Sequence, residues 1–192
     1  VAAMRMSDET PEDFLDVVSR LRAAKLRPEV VLEEVPAPQR IAPFALALSA
    51  DVVSEDDEDL ATGRFVLLHD PSSPEPWEGP YRVVSFIRAA LESDLATDPL
   101  MGQVGWAWLQ ESLSAAGAQH RASGGTITRV VSESFGALAG QTPTVDIELR
   151  ASWTPVDDAV VHLTAWSELL CTVGGLPPLA PGVTTLPRKR KA

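Results

Sequence analysis

Residues 62 to 71, TGRFVLLHDP, decide the fold: Phe65, Val66, Leu67 and Leu68 form an unbroken apolar run bounded by Gly63 and Pro71. A strand with one wet face alternates, so so short and continuous a run predicts a strand covered on both faces. The rest of the chain then reads as its cover. Upstream, Phe44, Leu46, Leu48, Ala50 and Val52 alternate with the small Ala45, Ala47 and Ser49. That spacing predicts a strand with a large face toward the main core and a small face open to close approach by a helix or a second subunit. Between the two strands lie five consecutive acids, Glu55 to Asp59. They lack the turn glycine and closing glutamate of a calcium loop, so they are expected to be a solvated hairpin loop.

Further toward the N-terminus, EVVLEEVPAPQRIAP is broken by Pro36, Pro38 and Pro43, which suits a connector or a sheet edge and excludes a helix or central strand. Residues 10–25 predict the first helix, with Thr10 as cap, Pro11 in the first turn, and Phe14, Val17, Val18, Leu21 and Ala24 as one apolar stripe. Arg20, Arg22, Lys25 and Arg27 gather near its end, where cations complement the helix dipole.

Downstream of the central strand, PSSPEPWEGP is a loop whose Trp77 either folds back over the core edge or is presented to a partner. Residues 81–89 read as a third strand, although VVSFIRAALESDL also fits a helix. DPLMGQVGWAWLQESLSAAG carries the strongest helical signal, with Asp98 as cap, Pro99 at the first position and Gly117 as the stop. Met101, Val104, Gly105, Trp108, Leu109, Ser112, Leu113 and Ala116 share its buried face, which makes Trp108 a core residue and leaves Trp106 on the flank as a candidate contact. Gly102 and Gly105 weaken a helix, so close packing against the sheet is the expected compensation. Two more strands follow at 126–135, preceded by Gly124 and Gly125, and at 144–154, where Val145, Ile147, Leu149, Ala151 and Trp153 alternate with Asp146, Glu148, Arg150, Ser152 and Thr154. One face of this sheet must be wet. Asp157 or Asp158 caps a last helix, with Leu163, Trp166, Leu170 and Val173 as its stripe and Gly174 and Gly175 as its end.

The element order is therefore α-β-β-β-α-β-β-α, an α+β fold with an antiparallel or mixed five-stranded sheet and helices on one side. At 192 residues, with 45% hydrophobic and 22% charged side chains, one core suffices. The expected organisation is a disordered start at 1–9, a single domain over 10–180, and a proline-containing basic tail over 181–192. No apolar run approaches the roughly 20 residues of a membrane span, and VAAMRMSDETPED has no signal-peptide core, so a cytoplasmic protein is expected. Val1, followed by Met4 and Met6, leaves the true start open by a few positions. The net charge of −11 disfavours nucleic acid, except through Arg188, Lys189, Arg190 and Lys191 in the tail.

Chemistry is sparse. The lone Cys171 excludes an intrachain disulfide and reads as a packed core thiol. His69, His120 and His162 show no metal-binding spacing, and no cofactor is implied. Ser132 and Ser134 lack a nucleophile elbow, and no phosphate-binding glycine loop occurs. Arg64, His69 and Trp153 are the candidate lining of a pocket should the chain be an enzyme, although Arg64 and Asp70 lie some 20 Å apart along one strand.

The segments PAPQRIAPFALALSADV, ATGRFVLLHDP, DPLMGQVGWAWLQESL, IELRASWTP and GLPPLAPGV resemble an actinobacterial family of unknown function, domain of unknown function 3000. The resemblance runs from about Phe14 to Pro187. It implies a cytosolic single-domain protein, transfers no catalytic residue, and points to RNA metabolism through a neighbouring gene for a ribonuclease D-like exonuclease. The element order is also similar to that of small acidic secretion chaperones, an analogy of topology alone. Two functional expectations follow. The first is a non-enzymatic, chaperone-like interaction protein, possibly a homodimer, anchoring a protein partner through Trp77 and Trp106. The second is an accessory factor of RNA metabolism acting through Arg188 to Lys191.

Overall fold

In a computed structural model, residues 10–92, 95 and 98–178 are described. Three helices, α1 (Glu12–Arg22), α2 (Met101–Ala115) and α3 (Ala159–Val173), accompany six strands: β1 (Val30–Val35), β2 (Phe44–Val53), β3 (Asp59–His69), β4 (Tyr81–Leu91), β5 (His120–Ser132) and β6 (Thr144–Pro155). The strands form one antiparallel sheet in the order β1-β2-β3-β4-β6-β5. The expected count of five is corrected to six, because the proline-broken connector contributes β1 as a sheet edge. Val30 to Val35, between Pro28 and Pro36, are free of proline and pair with β2 from Val30↔Val52 to Val35↔Ala47.

β3 lies inside the sheet, and Phe65 to His69 are buried consecutively, as the unbroken run requires. Its two faces are covered by different things. On the helix side, Leu48, Phe65, Leu67, Val83, Ile87, Leu149 and Trp153 meet α3 and its neighbours in the main core. On the other side, Ala47, Val66 and Leu68 form a small second cluster under Val35, Ala37, Ala42, Ala45 and Trp77. The small face of β2 thus receives the chain's own connector and loop.

α3 is the central helix of the helical layer. Asp158 caps it by accepting from the Val160 N–H (3.0 Å). Ten of its residues are buried, including His162, Ala165, Ser167 and Cys171 outside the expected stripe. The reason is position: α3 is flanked by α1 and α2 and lies on the sheet, so little of its circumference is left for water. Burial pushes the Cys171 thiol up to about 12, which suits an inert core thiol.

Several local expectations change. β4 is a strand, paired with β3 from Tyr81 to Ala89 and with β6 from Val83 to Leu91, so two neighbouring strands decide between the two patterns. α1 begins after Pro11, which occupies the cap position without a side-chain cap bond. α2 begins after Leu100, two residues later than expected, and the Asp98 carboxylate accepts from the Leu100 N–H (2.8 Å) just ahead of it. Trp108 is half-buried at the edge of the core and Val104 is exposed. Gly105 does meet the sheet: a Cβ there would lie 3.4 Å from both Ile127 and Ile147. Gly102 has open space around it, so close packing does not explain that glycine. β5 starts at His120, and Gly124 and Gly125 lie inside it. A bulge between Arg121 and Gly124, with Ala122 at φ +51°, lets the strand run on past the glycines.

The acidic residues Glu55 to Asp59 are exposed at the β2–β3 hairpin, where the Ser54 hydroxyl accepts from the Asp56 and Glu58 N–H groups. Three of the four cations at the end of α1 are held in ion pairs: Arg20 with Asp16 and Asp158, Arg22 with Glu34, and the buried Arg27 with Glu29 and Glu168. Among the described residues no helix is long and apolar enough to cross a membrane, and no group of three or more His, Cys, Asp or Glu could hold a metal. The basic tail, Arg188 to Lys191, and the stretch 1–9 lie outside the described residues.

Candidate functional site

All three helices pack on one face of the sheet, and among the described residues the other face is open beyond the small cluster at Trp77. Antiparallel register aligns its residues in rows across the strands. Ser49, Arg64, Phe86, Arg150 and Thr126 make one row, and Ala47, Val66, Val84, Ser152 and Gly124 the next. All of these except Ala47 line a groove of about 970 Å³. Five strands at roughly 4.8 Å spacing make it about 19 Å long across the sheet.

The groove is cationic in an acidic protein. Its lining includes Arg64 and Arg150 and no carboxylate, while the chain as a whole carries −11. Arg150 is stacked over the Phe86 ring at 5.0 Å and its Nη2 lies 2.8 Å from Glu148 Oε2, just outside the lining. Arg64 is exposed on the row and makes no hydrogen bond or ion pair with the described residues. At one end, Arg82 is tied to the Ser152 hydroxyl (2.7 Å), the Thr154 hydroxyl (3.2 Å) and the Ala122 carbonyl (2.9 Å), and burial lowers its pKa. Val66, Val84 and Phe86 supply an apolar floor. Such a groove suits an elongated ligand with carboxylates and some apolar surface.

A second cavity of about 400 Å³ lies at the sheet end between α1 and the start of α3. Its Arg20 is already paired with Asp158 at 2.5 Å, and burial, helped by the Asp13 carboxylate, raises the Tyr81 phenol. Beside it Asp157 belongs to a buried chain of polar groups. The Trp153 indole N–H donates to His162 Nδ1 (3.0 Å), His162 Nε2 donates to Asp157 Oδ1 (2.6 Å), and Asp157 Oδ2 accepts from the Gln119 N–H (3.0 Å). An indole only donates, so His162 Nδ1 is an acceptor and the ring is neutral. With both nitrogens occupied, His162 holds elements together and has no lone pair left for a substrate.

Arg64, His69 and Trp153 do not converge. Arg64 stands on the open face, whereas His69 and Trp153 stand on the helix side. His69 is packed between Phe14 (5.4 Å) and Tyr81 (4.3 Å), and its Nδ1 donates to the Pro80 carbonyl (3.2 Å). Trp77 folds back onto Val66 and Leu68, with its carbonyl accepting from the Thr154 hydroxyl. Trp106 is half-buried against β5, where Gly125 makes room: a Cβ at 125 would lie 2.9 Å from its ring and 2.4 Å from the Arg150 carbonyl. Replacing Trp106 by Ala is therefore expected to cost about 2 kcal/mol, below the roughly 3–5 of a fully buried Trp, and to lower Tm by roughly 4–8 °C in a thermal melt. An unchanged Tm would leave that ring available to a partner.

The row of Phe86 and Arg150 was missed in the sequence. Its signal was the polar half of the 144–154 alternation, which marks a wet face without saying which strands flank it.

Fold and groove define a class of protein: a small acidic α+β protein with one face of its sheet sealed by helices and the other left as an arginine-bearing groove. The chain belongs to the family of proteins of unknown function DUF3000, whose family model matches residues 10–184. No curated protein and no solved structure matches it.

Proposed function

We propose that this chain is a protein-interaction module, and not an enzyme, whose open sheet face receives an extended, carboxylate-bearing segment of a partner protein. The observation that carries this reading is Arg64. It stands on a groove whose lining holds no carboxylate, and no described residue pairs with it. A solvated guanidinium flanking an apolar floor offers a carboxylate a bidentate partner and leaves the floor for the segment's apolar side chains. The acidity of the remaining surface then acts as discrimination, steering carboxylates to the groove and away from other faces.

The test uses fluorescence anisotropy of a labelled acidic peptide, acetyl-(Val-Glu)4-amide, against the full chain, with an oligouridylate of equal backbone length as the rival. Arg64→Glu is expected to weaken peptide binding at least tenfold, about 1.4 kcal/mol, with affinity falling as salt rises. Equal binding by Arg64→Glu, or binding of the oligouridylate in place of the peptide, would overturn the proposal.

A further inference from the structure

The two edges of the sheet differ in how they meet water. β1 is blunted in the usual ways: it has six residues, carries Glu33 and Glu34, runs into Pro36 and Pro38, and is tied to α1 by the Arg22–Glu34 pair. β5 lacks such protection. It is last in the strand order among the described residues, 13 residues long, and has no buried residue. From Gly124 to Ser132 it runs in unbroken register with β6, so one row of its backbone N–H and C=O groups faces outward in regular spacing. The only charged side chain in that stretch, Arg129, turns to the Asp98 carbonyl in the helical layer (2.9 Å).

We infer that this edge is where two copies of the chain meet: β5 pairs antiparallel with β5 of a second copy about a twofold axis at Thr128, which joins the two sheets into one. The inference stands apart from what the groove binds. Symmetry sets the register, because a twofold axis normal to the sheet passes between a residue and its own copy. The bulge between Arg121 and Gly124 ends regular pairing on one side and Ser132 ends it on the other, and Thr128 lies midway. On the open face that centre sets Gly124 against Ser132 of the second copy, Thr126 against Val130 and Thr128 against itself. On the helix face it sets Gly125 against Val131 and Ile127 against Arg129. Such β-branched neighbours favour pairing, and no like charges face each other.

The helical layer selects a second copy over a lone strand. α2 lies over the boundary of β5 and β6, since a Cβ on Gly105 would be 3.4 Å from both Ile127 and Ile147. The twofold axis therefore leaves α2 and its copy roughly two strand spacings, about 10 Å, apart, the distance at which two helices pack. A single added strand would leave that flank of α2 bare. Val131 is 62% exposed and comes against Gly125 of the second copy, where the half-buried Trp106 ring lies, so each copy covers the other's valine. Charge agrees: at a net −11 two copies repel over most of their surfaces, but β5 carries no carboxylate. The contact strip, about 30 Å long and roughly 20 Å deep through sheet and helix, buries on the order of 600 Å² on each copy, and the total of about 1,200 Å² reaches the lower end of stable interfaces. Gly124 and Thr126 line the groove, so Ser132 and Val130 of the second copy extend it.

Sedimentation of the full-length chain is expected to give the mass of two chains. Val131→Lys, at an exposed position, should weaken the dimer at least tenfold and leave the far-UV circular dichroism unchanged. Thr128→Cys tests the register. Cys171 is buried, and a residue facing its own copy lies about 5 Å from it between Cα atoms, so mild oxidation should close an intermolecular disulfide. Thr126→Cys should close none alone and should cross-link to Val130→Cys when the two are mixed. A monomer at every concentration tested would overturn the inference. So would a dimer that Val131→Lys leaves intact, or one that Thr126→Cys cross-links with itself while Thr128→Cys does not.

Discussion

Replacing Trp166 by Ala is expected to destabilise the protein by about 3–5 kcal/mol, the cost of truncating a fully buried aromatic side chain. The ring is fully buried, tilts against Phe65 at 5.6 Å between centroids, and sits on the one place in β3 where the strand has no side chain. A Cβ on Gly63 would lie 2.7 Å from Trp166 Cζ2 and 3.0 Å from the Phe86 carbonyl. Gly63→Ala should therefore cost about 1–3 kcal/mol through overpacking. In the Trp166→Ala background that cost should shrink by about 1 kcal/mol, since the methyl then enters vacated space and only the 3.0 Å contacts with Leu170 Cδ1 and the Phe86 carbonyl remain. Urea denaturation of the four proteins measures the coupling. Costs that add to within about 0.5 kcal/mol would show that Trp166 does not rest on Gly63.

That pairing explains why the stretch at 62–71 is so readable. Gly63 and the apolar run Phe65 to Leu68 report opposite demands of one strand: space for an indole at one end and cover on both faces at the other. Local pattern sufficed for the central strand, the three helices and the alternating β6, because each buries one face by its own period. It failed where a partner strand decides. β1 was legible as an edge and not as a sixth strand, since six residues flanked by prolines pair only because β2 lies beside them. Gly124 and Gly125 read as a boundary, but ladder bonds to Ala151 and Ser152 carry the strand through them.

The candidate site was less legible for the same reason. Arg64 and Arg150 were each visible as polar positions on a strand, but strand order alone puts Phe86 between them and a groove over all three. Pairing His69 with Arg64 by nearness in sequence crosses the sheet, because residues an odd number of positions apart point to opposite faces. Trp153 and His162 lie nine residues apart across a strand end and a helix start. Their hydrogen bond depends on where Asp157 turns the chain, which periodicity does not encode.

His162→Leu is expected to cost about 3 kcal/mol at neutral pH, most of it from leaving the Trp153 N–H buried without an acceptor. Adding Trp153→Phe removes the orphaned donor, so the double variant should be less destabilised than the two single costs predict, by about 1 kcal/mol. The pH dependence is the sharper readout. Burial is the largest influence on His162 and lowers its pKa from the ordinary 6.5, with the Asp157 hydrogen bond opposing it only in part. Above pH 6.5 neither the folded nor the unfolded ring holds the extra proton, and the contribution of His162 to stability is complete. Below it the unfolded chain takes up a proton that the folded chain refuses, so stability falls as pH falls, by at most about 1.4 kcal/mol per pH unit, until the lowered folded pKa is passed. His162→Leu lacks this limb, so its deficit relative to the parent should narrow between pH 7.5 and 5.5 in urea midpoints. A constant deficit over that range would mean that the folded ring accepts the proton freely. Nδ1 could then not be the acceptor of the Trp153 N–H, and the hydrogen bond from Trp153 to His162 would be absent from the folded protein.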